Sequence, residues 1–135
     1  MRLTRRYRFS ASHRLHSDEL TADQNRELYG KCNNPHGHGH DYILDVGVSG
    51  PLDRNTGRVV PVPALDALVE SSVLRNLDHR NLNVDAPEFA QTPATTENLA
   101  IAIRRRLLEH WPAAWPRLET VRLQETRRNR FELKV

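Results

Sequence analysis

One cysteine, Cys32, stands in 135 residues. A chain with a single thiol forms no internal disulfide, so the fold must rest on its core, and the thiol is either a small buried hydrophobe or a reactive group. Lysine is almost as scarce: of 20 basic residues only Lys31 and Lys134 are lysine, and the rest are arginine. No apolar run approaches the roughly 20 residues of a membrane span. The stretch Met1–Arg8 has no apolar h-region, so no secretory signal is read and a cytoplasmic location is expected. Internal repeats, low-complexity tracts and linker-like segments are absent, which fits one domain over residues 1–135. The net charge of +3 comes from arginines with acids spread among them. Without a nucleic-acid module beside them, that pattern argues against a nucleic-acid partner, and nothing in it asks for a membrane.

What is present is concentrated between Lys31 and Tyr42, which reads Lys-Cys-Asn-Asn-Pro-His-Gly-His-Gly-His-Asp-Tyr and holds three of the seven histidines. On a strand, alternate residues share a face, so His38 and His40 project together, about 6.5 Å apart along the chain. Imidazoles so spaced, with a thiol nearby, suit zinc, which in catalytic sites keeps three protein ligands and one open position. Two residues compete for the third place. His36 shares the parity of His38 and His40, but three alternate residues on one straight strand span about 13 Å, long for three zinc bonds. His13 lies on the inward parity of an earlier strand and is the non-local candidate. Asp78-His79 is the one adjacent Asp-His pair, the arrangement in which a carboxylate orients a base beside a thiol.

Alternation over residues 3–13 puts Leu3, Arg5, Tyr7, Phe9, Ala11 and His13 on one, mainly apolar, face of a strand. Ser17–Arg26 has the composition of a polar loop. A second strand is expected over Asp41–Ser49, then a turn from Gly50 to Gly57 and a short strand at Arg58–Val60 that closes a hairpin. Pro63 sits at a helix start, and Leu65, Leu68, Val69, Ser72 and Val73 follow at helical spacing to about Arg75. Thr95-Thr96-Glu97 reads as a capped helix start, Leu99, Ala102, Ile103, Leu107 and Trp111 as its buried stripe, and Pro112 as its stop. Val121, Leu123 and Glu125 share a strand face, so a carboxylate projects among apolar residues and needs a partner or a purpose. Phe131, Leu133 and Val135 close the chain as an edge strand. The order is ββααββ, an α+β arrangement.

Five segments together carry a resemblance: Phe9-Ser10-Ala11-Ser12-His13-Arg14-Leu15; Cys32-Asn33-Asn34-Pro35 with His38-Gly39-His40; Leu77-Asp78-His79-Arg80-Asn81-Leu82-Asn83; Thr95-Thr96-Glu97-Asn98; and Gln124-Glu125-Thr126. In order and spacing they resemble the 6-pyruvoyl-tetrahydropterin synthase family, over nearly the whole chain. The resemblance implies the tunnelling fold, a four-stranded antiparallel sheet with two helices on one face. It also implies assembly edge to edge and by stacked rings into a homohexamer, a dimer of trimers, with active sites at subunit interfaces.

By the same resemblance His13, His38 and His40 match zinc ligands, and Cys32 the catalytic thiol. Asp78 and His79 match the pair that works with the thiol from a neighbouring subunit. Glu125 matches the acid that grips the pyrimidine edge of a pterin, and Thr95, Thr96 and Glu97 match further pterin contacts. The implied reaction is that of a carbon–oxygen lyase, converting 7,8-dihydroneopterin triphosphate to 6-pyruvoyl-tetrahydropterin with loss of triphosphate, as in tetrahydrobiopterin biosynthesis. A second branch, the 6-carboxy-tetrahydropterin synthases of queuosine biosynthesis, releases acetaldehyde as well. It usually has three residues between the cysteine and His-Gly-His, whereas here five intervene, Asn33 to Gly37, as in the pyruvoyl branch. A third reading is a pterin-binding or structural zinc protein without turnover, which would not need Cys32, Asp78 and His79 together. Arg14 and Lys31 flank the site in sequence as candidate triphosphate contacts. His36 and Asp41 depart from the usual family residues, Asp41 as a candidate acceptor that orients a ligating imidazole.

Overall fold

The computed structural model describes residues 1–135. Strand β1 (Arg2–His13) and strand β2 (His38–Ser49) pair antiparallel along their whole length, with Arg2 opposite Ser49 and His13 opposite His38. Strand β4 (Arg117–Gln124) pairs with the other edge of β2, and β5 (Arg130–Lys134) with β4. A two-residue strand β3 (Arg80–Asn81) adds in parallel beside Ala11 and Ser12, so the sheet has five strands in the order β3-β1-β2-β4-β5. The expected four-stranded antiparallel sheet thus gains a short parallel member. It arises because the chain, leaving the helix before it, runs back along the open edge of β1.

One face of the sheet is apolar. Phe9, Ala11, Tyr42, Leu44, Val46, Val48, Val121 and Leu123 are all buried there, the period-2 stripes expected from the sequence. Two helical segments cover them. The first is α2 (Val62–Val69), a π-helical turn (Glu70–Leu74) and α3 (Arg75–Leu77) in unbroken succession; the second is α5 (Thr96–His110). Leu65, Val69, Val73 and Leu77 recur at a strict spacing of four and are all buried. Such a stripe would drift around a 3.6-residue helix, and the wider π turn keeps it facing the sheet. Thr95 caps α5 by accepting from Asn98 N, and the helix ends at His110 before Pro112. No helix is long and apolar enough to cross a membrane.

Two expectations fail. The stretch read as a polar loop contains helix α1 (Ala22–Tyr29), started by a capping box in which Thr21 and Gln24 satisfy each other's backbone N–H groups. Buried Asn25 ties it to the preceding loop through Ser17, Leu20 and Thr21. The strand expected at Arg58–Val60 does not form. Both edges of β2 are already taken by β1 and β4, and residues 53–58 close on themselves: Asp53 N donates to Arg58 O, and the Asp53 carboxylate accepts from Asn55 and Thr56. A short helix α4 (Leu82–Asp85) follows β3, and short 3-10 turns lie at Gly30–Asn33 and Pro87–Phe89.

Candidate metal centre and active site

Register builds the site. Pairing His13 with His38 and Ala11 with His40 places three imidazoles on the apolar face at one end of the β1–β2 ladder. The turn that makes this pairing depends on Gly37, which adopts φ 71° and approaches so closely that a Cβ would lie 2.9 Å from the His13 carbonyl oxygen. The 3-10 turn before it brings in the thiol. Leu15 N donates to Cys32 O at 2.7 Å, and the buried Asn33 side chain donates to Leu15 O at 2.7 Å, so both residues clamp the cysteine loop onto the continuation of β1. The ligand atoms of His13, Cys32, His38 and His40 lie within 4.8 Å of one another.

The buried His13 ring has its Nδ1–H committed to Ala94 O at 2.8 Å, in the segment just before α5. Its Nε2 therefore presents a lone pair to the site and is buried without a hydrogen-bond partner. Burial holds His13 and His40 below the ordinary imidazole pKa, so both favour the neutral, ligating form. His38 Nε2 and His40 Nε2 are 2.7 Å apart, and nitrogens so close share a proton or a cation. The Glu125 carboxylate approaches the same point, 3.5 Å from His13 Nε2 and 3.4 Å from His40 Nε2. Lone pairs facing a carboxylate repel it unless positive charge lies between, and a divalent cation satisfies every group present. Three nitrogens with a thiol alongside are a donor set that suits zinc. Burial first, and the Glu125 charge second, push the Cys32 thiol up; a cation at the histidines would act in the opposite sense.

His36 is exposed and outside the cluster, and His13 is inside it. Asp41 accepts from Ser10 Oγ on the other face of the sheet and does not brace a ligating ring. Thr95 is committed to its capping bond, Thr96 is buried, and Glu97 is exposed in the first turn of α5; Ala94, beside them, holds His13. Tyr42 was not singled out by the sequence. Fully buried on the strand that carries His38 and His40, it donates its hydroxyl to Glu125 at 3.5 Å.

Asp78 and His79 lie apart from Cys32. The Asp78 carboxylate accepts from Ser10 N at 2.9 Å and lies 3.0 Å from His79 Nδ1, while His79 N donates to Ser10 O at 2.6 Å. These bonds hold the pair at the β1 edge with His79 at φ 58°, the one non-glycine residue in the left-handed region. The His79 side chain is exposed over a groove of about 590 Å³ with Ser10, Ser12, Gly39 and Asp41, and Cys32 is not part of its lining. The groove does reach the cluster at His40, but within one chain no hydrogen bond or ion pair joins the Asp-His pair to the thiol.

Fold and site define an α+β protein with a cluster of three histidines and one thiol, able to hold a metal ion, at the rim of its sheet. The family model described as 6-pyruvoyl tetrahydropterin synthase matches residues 2–134, and the chain belongs to that family. It is 45% identical over 127 residues to a 6-pyruvoyl tetrahydrobiopterin synthase of Poecilia reticulata, spanning 94% of this chain and 85% of that protein. Its identity to the protein of the same name from Homo sapiens is 43% over 127 residues, spanning 94% and 86%. The solved 6-pyruvoyl tetrahydropterin synthase of Caenorhabditis elegans superposes with a TM-score of 0.91 at 39% identity, covering 100% of this chain and 95% of that one.

Proposed function

We propose that the chain is a zinc-dependent 6-pyruvoyl-tetrahydropterin synthase that converts 7,8-dihydroneopterin triphosphate to 6-pyruvoyl-tetrahydropterin with elimination of triphosphate. The observation that carries this is the convergence of His13, His38, His40 and Cys32, with Glu125 over them, in a chain of this family. His13, His38 and His40 hold the zinc. Bound there, zinc supplies Lewis acidity toward side-chain oxygens of the substrate, which makes the neighbouring C–H groups more acidic. Cys32, as thiolate, takes and returns a proton at those carbons. Glu125 accepts hydrogen bonds from the N–H groups of the pyrimidine edge and is oriented by Tyr42. Thr95, Thr96 and Glu97 contribute at the rim beside Ala94.

Asp78 and His79 serve the thiol of a neighbouring copy, with Asp78 holding the His79 ring. Two features support this: His79 is exposed and the pair makes no bond to Cys32 in its own chain, and β5 and the short β3 are the two outer strands of the sheet, open to further pairing. The assembly read from the family is a homohexamer, a dimer of trimers, working as one domain per chain in the cytoplasm. The pyruvoyl product is preferred over the carboxy product by the five residues between Cys32 and His38 and by the names of the relatives. Release of triphosphate from dihydroneopterin triphosphate tests the reading. Wild-type protein turns the substrate over, Cys32→Ala slows release by about 10³-fold or more while keeping its zinc, and chelation abolishes it. Turnover by Cys32→Ala at the wild-type rate would remove the thiol from the mechanism.

A further inference from the structure

A second groove, of about 270 Å³, lies beside the cysteine loop, and Arg14, His16, Arg26, Lys31, Asn33 and Asn34 supply its polar lining. It is basic without compensation from its own walls, since no Asp or Glu lines it. Acids touch it only from outside: Asp23 pairs with Arg26, and the fully exposed Asp18 lies 3.5 Å from His16 Nε2. Arg14 and Lys31 make no ion pair; Arg14 spends only its Nε on Asn33 O, which leaves the rest of its guanidinium free. The groove is also built rather than accidental. Buried Asn33 donates through one amide to both Leu15 O and His16 Nδ1, which fixes the histidine with its Nε2–H outward. The larger groove beneath His79 is different, for Asp41 and Asp85 outnumber Arg80 in its lining and leave it without the same excess of fixed positive charge.

We propose that this groove is a subsite for the oligophosphate tail of the substrate, with Arg14 and Lys31 as its anchors and His16 and Arg26 at its outer wall. The inference rests on the function proposed above and locates the part of the substrate that the metal pocket does not hold. Its position follows from connectivity: Lys31 and Asn33, the residues on either side of Cys32, both line the groove. A substrate with its reacting carbons at the thiol thus has its leaving group beside two unpaired cations. Arginine meets phosphoryl oxygens in a bidentate fork and lysine as a point charge, and both favour departure of the polyanion as its charge develops.

Calorimetric titration of the zinc-loaded protein with sodium tripolyphosphate tests the subsite directly, with zinc content measured before and after because the ligand chelates metal. Wild type binds, and Arg14→Gln and Lys31→Gln each weaken binding by about 10-fold, while Arg105→Gln, on an exposed part of α5, leaves it unchanged. In steady state the two groove variants raise KM for dihydroneopterin triphosphate about 10-fold but for dihydroneopterin monophosphate less than twofold. Equal shifts for the two esters, or wild-type tripolyphosphate affinity in both variants, would overturn the subsite. Absence of turnover by wild type would instead strike the proposed function, and the titration would still decide the groove.

Discussion

His13 shows how one residue acquires a role through its surroundings. Its bond to Ala94 O fixes the tautomer, burial keeps the ring neutral, and the register with His38 completes a pocket that neither strand could make alone. His13→Ala is expected to reduce bound zinc from about one per chain to near zero by metal analysis; full occupancy would give the third place to another ligand. This much was legible in the sequence, because parity alone puts His13, His38 and His40 on inward faces. The choice of His13 over His36 rested on the resemblance and on the length of a straight strand, because the Gly37 turn and the pairing of distant strands leave no mark in local spacing. Tyr42 was hidden for a similar reason: a tyrosine on a core parity gives no sign that its hydroxyl meets Glu125 from another strand. His79 carries a different cost. A non-glycine residue in the left-handed region is strained by about 1 kcal/mol. His79→Gly is therefore expected to raise stability by about 0.5 kcal/mol in urea melts while turnover collapses; a loss of stability would mean that the ring, and not only the backbone, holds the β1 edge.

Among the elements, the β1–β2 ladder positions the site and the polar face of the sheet stabilises it. Arg6, Asp45, Arg122 and Glu132 sit opposite one another across four strands, an alternating row of charge on the face away from the helices. Arg6 grips Asp45 through two bonds of 2.8 and 3.0 Å, and these hold the Asp45 carboxyl below the usual range. The unfolded chain then binds the proton more readily than the folded one. The row contributes stability above the unfolded carboxylate pKa of about 3.9 and loses it as pH falls through the lower folded value. Melting curves of wild type and Asp45→Asn should be well separated at pH 7 and converge below about pH 4, and a separation constant with pH would contradict this. At the ladder's end, Gly37→Ala is expected to weaken zinc retention against a chelator, because its Cβ meets the His13 carbonyl. Elements with strong period were readable from the sequence, α5 and β2 among them. Helix α1 was not, since its face carries almost no apolar stripe and its signal lay in the Thr21/Gln24 capping box. The strand at Arg58–Val60 was overread because alternation cannot reveal that β2 has no edge left to offer.

For the molecule as a whole, the separation of Asp78–His79 from Cys32 is the feature that a single chain leaves incomplete. If copies complete one another's sites, two inactive variants should rescue each other. Cys32→Ala and His79→Ala, unfolded together and refolded as a mixture, are expected to recover about a quarter of wild-type activity, because a random mixture pairs an intact thiol with an intact histidine at that frequency. Activity no higher than in either variant alone would place both groups in one chain's site. The family order was visible in the five sequence segments, and their joint spacing was the signal; a role for Asp78 and His79 in a neighbouring copy came only as what the resemblance implies, because spacing does not reveal which sheet face or edge each residue leaves.

The most direct measurement is mass identification of what the zinc-loaded protein makes from 7,8-dihydroneopterin triphosphate. The account predicts 6-pyruvoyl-tetrahydropterin and free triphosphate in equal amounts, with no acetaldehyde. A 6-carboxy product with acetaldehyde, or recovery of the substrate unchanged, would contradict it.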